Sequence, residues 1–278
     1  MELRPKRVAS AEKVRELVDS AFATRYYDIE ATLRSASQAV ALAEEKRYEM
    51  TADLIMAAWT EYGNALRMAR RFEEAERALK KAEAEPASDP HTRAHFLEVK
   101  ATLHRWTRRF ESAAEFLHSA IEIQRSIGNS DGEARHYNHL GIIYLDAKDM
   151  PQALRSYQAA LELYGPDSPI DVMVMTSHNM LEALIADGRM SAAATVLALL
   201  ERFYQRITST RLAAKAEWAR AKLCREFGQF DAAKLAFERT HALLIKEPRS
   251  PELPELIEEM AELEIMISRA AGAQKPGD

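Results

Sequence analysis

The chain has 278 residues, of which 47% are hydrophobic and 29% are charged, so it can bury a substantial core. Its net charge of −5 argues against a nucleic-acid-binding protein, because such proteins usually carry a basic balance or a basic face. The single cysteine, Cys224, excludes an intrachain disulfide framework and fits a reducing compartment.

The N-terminal residues are basic but are not followed by the apolar segment of a secretory signal. No apolar run approaches the roughly 18 residues that a membrane-spanning helix needs. We therefore predict a soluble cytoplasmic protein. Ala, Leu, Glu, Arg and Lys dominate the composition and period-two alternation is nearly absent, which predicts helices and no sheet.

The chain is predicted to begin with a tail over residues 1–9 and a first helical hairpin over residues 10–46. In this hairpin Ser and Gln occupy positions where small apolar residues are expected. Terminal repeats commonly diverge in this way, because one of their faces has no neighbouring repeat.

From residue 50 onwards, an aromatic residue or Met is followed three residues later by Ala, and this pair recurs. The pairs are Phe72/Ala75, Phe110/Ala113, Met150/Ala153, Met190/Ala193 and Phe230/Ala233. The successive Ala residues are 38, 40, 40 and 40 residues apart. Other small and large apolar residues keep the same register at helical spacing, which predicts stacked helix hairpins over residues 50–245.

Caps and breaks separate the predicted helices. Asp89 followed by Pro90 is typical of a helix N-terminus, as is Ser130 with Glu133. Gly188 and Gly228 fall in the turns within repeats. A final helix over residues 251–270 has one apolar stripe and an acidic remainder, which predicts a capping helix before a flexible tail over residues 271–278.

Residues 134–163 resemble the tetratricopeptide repeat in their packing positions, which are Tyr137, Leu140, Gly141, Tyr144, Ala153, Tyr157 and Ala160. The period of 38–40 residues exceeds the family's usual 34 and is similar to that of bacterial regulatory proteins and kinesin-light-chain-like adaptors. The resemblance implies an all-α, right-handed α-solenoid of about six repeats plus a capping helix, forming one domain over residues 10–270.

The resemblance also implies that the first helix of each repeat lines a concave groove that binds peptides or partner helices. The residues that this register places in the groove are Asn64, Arg67, His95, Arg105, Arg135, Asn138, His139, His178, Asn179, Lys222 and Arg225. Arg suits carboxylates or phosphates, and Asn can pair with both backbone groups of an extended peptide. We expect a protein or peptide ligand, including acidic or C-terminal segments. The alternative is an ordinary solvated polar face.

The sequence offers no catalytic or metal centre by motif. His136 and His139 could share a helix face, but no acidic or Cys ligand completes the pair at a metal-site spacing, so no metal is expected. No Gly-rich phosphate loop or nucleophile elbow occurs, and Cys224 falls at a core position. We therefore predict a protein that is not an enzyme and has no cofactor.

Two functions fit these features. The first is a non-enzymatic scaffold or adaptor that binds a protein or peptide. The alternative is a peptide- or partner-sensing module of a bacterial signalling or transcription-control system, whose output comes from another protein. Homo-oligomerisation through exposed surfaces is a third option. The basic residues near Arg70 and at 105–109 could contact an acidic partner or nucleic acid, whereas complementing helix dipoles is the simpler explanation.

Overall fold

The computed structural model describes residues 3–25, 28–165, 167–204, 210–246 and 252–273, and side chains in these ranges except at 3–8, 201–204 and 271–273. These ranges contain thirteen α-helices and no strand: α1 Leu3–Thr24, α2 Ile29–Glu45, α3 Ala52–Met68, α4 Phe72–Glu83, α5 Pro90–Trp106, α6 Phe110–Ser126, α7 Ser130–Asp146, α8 Met150–Leu163, α9 Ile170–Ala186, α10 Met190–Tyr204, α11 Thr210–Glu226, α12 Phe230–Leu244 and α13 Leu253–Ala273. The prediction of an all-α solenoid fold made of tandem helix hairpins is confirmed.

The chain divides into two compact units, Met1–Asp149 and Met150–Asp278. Unit 1 contains α1 to α7, and unit 2 contains α8 to α13. In unit 1 the pairs α1/α2, α3/α4 and α5/α6 pack as hairpins, and the first helices α3, α5 and α7 contact in sequence. In unit 2 the pairs α9/α10 and α11/α12 pack as hairpins, α9 contacts α11, and α12 contacts α13. The extent of a single domain over residues 10–270 stays a prediction.

Small residues at fixed positions allow the paired helices to approach closely. A Cβ atom added to Gly63 of α3 would lie 2.8 Å from Cδ2 of Leu79 on α4. The repeat positions Ala75, Ala113 and Ala153 are all fully buried. The predicted columns of small residues are therefore the surfaces at which helices meet, because a larger side chain there would push the pair apart.

The turn within each repeat places one residue in the left-handed region. The φ angles are 61° at Arg70, 59° at Arg108, 66° at Lys148, and 71° at both Gly188 and Gly228. The next backbone N–H then bonds back to the preceding helix, as from Arg71 N to Leu66 O at 2.9 Å. This geometry ends the first helix of each repeat and turns the chain into the second.

Three local expectations differ from the structure. Residues 3–9 are helical rather than a tail, since nothing there breaks a helix except Pro5, which the first turn tolerates. Asn129, not Ser130, caps α7, because its side chain accepts a hydrogen bond from Gly132 N at 3.0 Å. The final helix continues to Ala273, past its predicted end at residue 270. The expected helix start at residues 250–251 and residues 274–278 of the predicted tail lie outside the described residues.

The capping helix buries its predicted apolar stripe within unit 2. Leu256 and Leu263 are fully buried against a cluster that includes Phe237, and Met260 and Ile267 pack beside them. Among the described residues, no helix combines the length and apolarity required to cross a membrane.

Candidate functional site

One position on the first helix of each repeat holds a buried polar or amphipathic residue. The residues are Thr60, Glu98, Asn138, His178 and Trp218, spaced 38, 40, 40 and 40 apart, and we call them the buried polar column. Four of them belong to the most buried class, and the side chain of Glu98 is only 16% exposed. Packing alone would favour apolar residues at these positions, because burying a polar group costs free energy unless it is hydrogen-bonded.

Most of the buried polar column is not satisfied by the protein itself. Glu98 Oε2 lacks a hydrogen bond but lies 3.3 Å from Nε of Arg135. Within the described residues, three further atoms have no hydrogen-bond partner: Thr60 Oγ1, His178 Nδ1 and Trp218 Nε1. Each such atom costs about 1–3 kcal/mol. Native proteins rarely retain several aligned groups of this kind without a functional reason, so the column marks the first-helix face as a candidate binding surface.

Next to the column in unit 1, α3 and α5 are joined by a buried ion pair. His95 Nε2 lies 2.5 Å from Oε1 of Glu61, whose side chain is only 3% exposed. Burial lowers the pKa of His95, but the hydrogen bond and charge of Glu61 outweigh it, so the pKa is raised overall. His95 is therefore held in place and is not free to receive an acidic ligand.

Glu98 on α5 is the centre of a cluster with three residues of α7. Its Oε2 lies 3.3 Å from Arg135 Nε and 3.5 Å from His136 Nδ1, and its Oε1 lies 3.5 Å from His139 Nδ1. Burial raises the pKa of Glu98, but His139 and the Arg135 guanidinium outweigh it and hold the pKa at about 2. Burial lowers the pKa of His136 to about 4 and also lowers that of His139.

The remaining predicted residues of unit 1 are also engaged. Arg67 donates to Oδ1 of Asn64 from Nη2 at 2.7 Å and from Nε at 3.2 Å. Arg105 Nε donates to Asp146 Oδ2 at 2.6 Å, which ties α5 to α7. Asn138 is buried in the column. The first-helix face of unit 1 is therefore polar, and Arg105 and Arg135 both have carboxylate partners.

In unit 2 the column opens into a pocket of about 180 Å³. It is lined by His178, Glu182, Arg211, Lys215, Trp218, Lys222, Leu244, Glu252 and Glu255. Burial, together with the neighbouring cations Lys215 and Lys222, lowers the pKa of His178 to about 3. The imidazole is therefore neutral at pH 7 and can either donate or accept a hydrogen bond.

The cations of this pocket differ in whether the protein neutralises them. Lys222 Nζ lies 3.2 Å from Glu182 and 3.4 Å from Glu259, and Arg225 Nη1 lies 3.4 Å from the same Glu259. Lys215 is half-buried and has no ion pair among the described residues. Burial lowers the pKa of Lys215, and the charge of Arg211 lowers it further.

The predicted site residues thus fall into two sets, one in each unit. Unit 1 holds Asn64, Arg67, His95, Arg105, Arg135, Asn138 and His139, and unit 2 holds His178, Asn179, Lys222 and Arg225. Most of the cations, expected to await an acidic ligand, already have carboxylate partners. Those partners, which include Glu61 and Glu259, were missed because they come from neighbouring helices, and spacing along one helix does not reveal them.

Sequence spacing did not reveal every possible metal ligand. His136 and His139 lack an acidic partner at a metal-site spacing in the sequence, but α5 brings Glu98 beside both. One ligand atom from each of these three residues lies within 4.8 Å of the other two. Helix packing completed a set that sequence spacing left incomplete.

The basic residues of the turns have structural contacts. Arg109 forms two hydrogen bonds to the carboxylate of Glu76, at 2.8 and 3.2 Å. Arg70 and Arg108 are turn residues with positive φ, and the guanidinium of Arg70 lies 5.8 Å from the ring centre of Trp106. These contacts favour a structural explanation over a nucleic-acid surface.

Cys224 is half-buried beside an apolar cluster, and burial raises the pKa of its thiol, as expected of a structural cysteine.

Residues 93–165 match the sequence model of the tetratricopeptide repeat family. The prediction of tetratricopeptide repeats is confirmed. Proteins with this fold are generally binding scaffolds without catalytic activity, and the match indicates no catalytic family. No curated protein sequence matches the chain.

Solved structures share the tetratricopeptide fold at low sequence identity. BtubC (BKLC) from P. vanneervenii is 18% identical, with a TM-score of 0.63 over 80% of this chain and 95% of that chain. The apo form of RapI is 13% identical, with a TM-score of 0.70 over 94% of this chain and 75% of that one. NprR in complex with its cognate peptide NprX is 15% identical, with a TM-score of 0.63 over 94% and 74%.

Proposed function

We propose that this tetratricopeptide repeat protein is a cytoplasmic, non-enzymatic scaffold or adaptor that binds a peptide segment of a protein partner on its first-helix faces. The buried polar column carries the proposal, because its unsatisfied donors and acceptors recur at the repeat spacing. A peptide offers backbone N–H and C=O groups that can satisfy the polar groups of the column within either unit. NprR, which shares the fold, is itself known in complex with a peptide.

The two units offer different surfaces to a peptide. In unit 1 most cations already have carboxylate partners, which favours recognition of neutral peptide groups by Asn64, Arg67 and Asn138. In unit 2 Lys215 lines the pocket without an ion-pair partner among the described residues. A half-buried cation gains most from a carboxylate in a desolvated site. We therefore assign to Lys215 the binding of an acidic side chain or of the C-terminal carboxylate of a peptide.

Selection of random peptides on the immobilised full chain, followed by affinity measurements with a selected synthetic peptide, tests this function. We expect Asn138→Ala, Arg105→Ala and Lys215→Ala each to weaken binding by about tenfold, as the loss of a charge-assisted or buried hydrogen bond would. Glu122→Ala, on the exposed side of α6, is the matched control and should leave the affinity unchanged. Peptides that bind all three variants as tightly as the wild type would refute the site.

A second candidate function is peptide sensing for a separate effector protein. The division into two compact units favours it, because repeats that contact only neighbouring repeats deform at low cost. A selected peptide that changes the small-angle scattering profile of the full chain would support the sensor. An unchanged profile at saturating peptide would leave the passive scaffold as the function.

A further inference from the structure

We infer that Glu98, His136 and His139 form a binding site for a divalent transition metal ion of the Zn²⁺ class. This inference goes beyond peptide binding and does not depend on it. The site lies wholly within unit 1, between α5 and α7. The chemistry of the donors, their spacing, their burial and the access from solvent each support it.

The donor set suits the ion. Imidazole nitrogen and carboxylate oxygen are ordinary Zn²⁺ ligands, and two His with one Glu leave a fourth position for water or another ligand. In a tetrahedral site with bonds of about 2.0–2.1 Å, donor atoms lie roughly 3.3 Å apart. Here Oε2 of Glu98 lies 3.5 Å from His136 Nδ1 and its Oε1 lies 3.5 Å from His139 Nδ1, and one ligand atom from each of the three residues lies within 4.8 Å of the other two. Only small side-chain shifts would close the site.

His136 supplies the independent observation. Its side chain is completely buried, and neither ring nitrogen has a hydrogen-bond partner within the described part of the chain. A buried imidazole without a partner carries a desolvation cost that a metal bond through Nδ1 would remove. Glu98 Oε2 and His139 Nδ1 are likewise buried without a hydrogen bond. Each candidate ligand thus has an atom without a hydrogen bond, and Glu98 Oε2 is paired only with the charge of Arg135 and the ring of His136.

Access and competition also follow from the geometry. The side chain of His139 is 33% exposed, so an ion can enter from its side while His136 closes the interior. Arg135 competes for the same oxygen, since its Nε lies 3.3 Å from Glu98 Oε2. Arg135 is 49% exposed and can turn into solvent when an ion arrives. Its removal should therefore strengthen metal binding rather than weaken it.

The experiment titrates the chelator-treated full chain with Zn²⁺ by calorimetry and with Co²⁺ by absorption at pH 7.5. We expect one equivalent of either metal and the visible absorption bands of four-coordinate Co²⁺. Glu98→Gln and His139→Ala should each weaken binding by at least about tenfold and remove the bands. Arg135→Ala should bind more tightly than the wild type. His91→Ala, which removes an exposed histidine outside the cluster, is the control and should match the wild type.

Two outcomes would overturn the site. The first is a wild-type chain that binds neither metal. The second is a chain whose affinity and Co²⁺ spectrum are the same in the wild type, Glu98→Gln and His139→Ala, since binding would then lie elsewhere. Circular dichroism of each variant confirms folding. If His139→Ala fails to fold, Arg135→Ala still tests the site, because removing a competing cation must increase the metal affinity.

Discussion

At the scale of single residues, the unusual feature is polar chemistry inside a helical stack. Thr60, Glu98, Asn138, His178 and Trp218 occupy one repeat position and are mostly buried, yet four of them have a polar atom without a hydrogen bond among the described residues. A stack selected only for stability would place apolar side chains there. The column is therefore where stability and binding are expected to trade against each other.

Thr60→Val tests this trade. The two side chains have nearly the same shape, and Thr60 is buried with no hydrogen bond to its hydroxyl. We expect the variant to raise the free energy of unfolding by about 1 kcal/mol, because it removes an unsatisfied buried group. Thr240→Val is the matched control: Thr240 is equally buried, but its hydroxyl donates to Ala236 O at 2.9 Å, so the same change should destabilise the protein. Chemical denaturation measures both, and a loss of stability in Thr60→Val would contradict the prediction.

His178 should make the protein sensitive to acid. Its pKa is about 3 in the folded chain and about 6.5 when unfolded. Between these values the unfolded state binds a proton that the folded state does not, so stability falls as the pH falls from about 6.5 towards 3. The fall amounts to about 1.4 kcal/mol per pH unit, or about 2 kcal/mol between pH 6.5 and 5.

Thermal unfolding of the wild type and His178→Gln at pH 7.5 and pH 5 measures this contribution. The variant should lose less stability between the two pH values than the wild type, because Gln does not titrate. His241→Gln, at a half-buried position on α12, is the control and should keep the wild-type pH dependence. An equal loss in wild type and His178→Gln would show that His178 is not responsible.

At the scale of elements, the turns were predictable where glycine marks them and hidden where it does not. Gly188 and Gly228 predicted two of the turns from the sequence, but Arg70, Arg108 and Lys148 adopt a similar positive φ without any sequence signal. The equivalence follows from the repeat register, since these five residues are 38, 40, 40 and 40 apart. A left-handed conformation costs a residue with a Cβ atom about 1–2 kcal/mol, and the packing of the hairpin offsets this cost.

Exchanging the residues of two equivalent turns tests this cost. Lys148→Gly should raise the free energy of unfolding by about 1 kcal/mol, because it removes the strain at φ 66°. Gly188→Lys should lower it by a similar amount, since no atom lies near enough to clash and only backbone strain remains. Urea denaturation of both variants gives the comparison. Two changes of the same sign would show that backbone strain does not control these turns.

At the scale of the whole molecule, stability is expected to be organised in two compact units. Leu66 belongs to a core cluster of unit 1, and Leu181 belongs to one of unit 2. Contacts between neighbouring repeats dominate such folds, so a local defect should spread through its own unit first.

Leu66→Ala and Leu181→Ala form a matched pair for this prediction. Both leucines are fully buried, so each change should cost about 2–5 kcal/mol. We expect hydrogen exchange to accelerate most in α3–α6 for Leu66→Ala and most in α9–α12 for Leu181→Ala. Uniform acceleration over both units in either variant would show instead that the chain unfolds as one cooperative body.

The sequence by itself determined the helical class, the repeat register and the helix-meeting surfaces. Periodicity is a local property. Ala75, Ala113 and Ala153 recur because every repeat needs a small buried residue where its helices meet. The sequence also placed polar residues such as Asn138 and His178 on the first helices. Only the tertiary structure decided which groups those residues meet. The pairing of His95 with Glu61 and the meeting of Glu98 with His136 and His139 each join residues that are more than 30 positions apart in the chain. Electrostatic and coordination contacts depend on distances of a few ångströms between side chains, and such distances are set when helices pack, not by spacing along one helix.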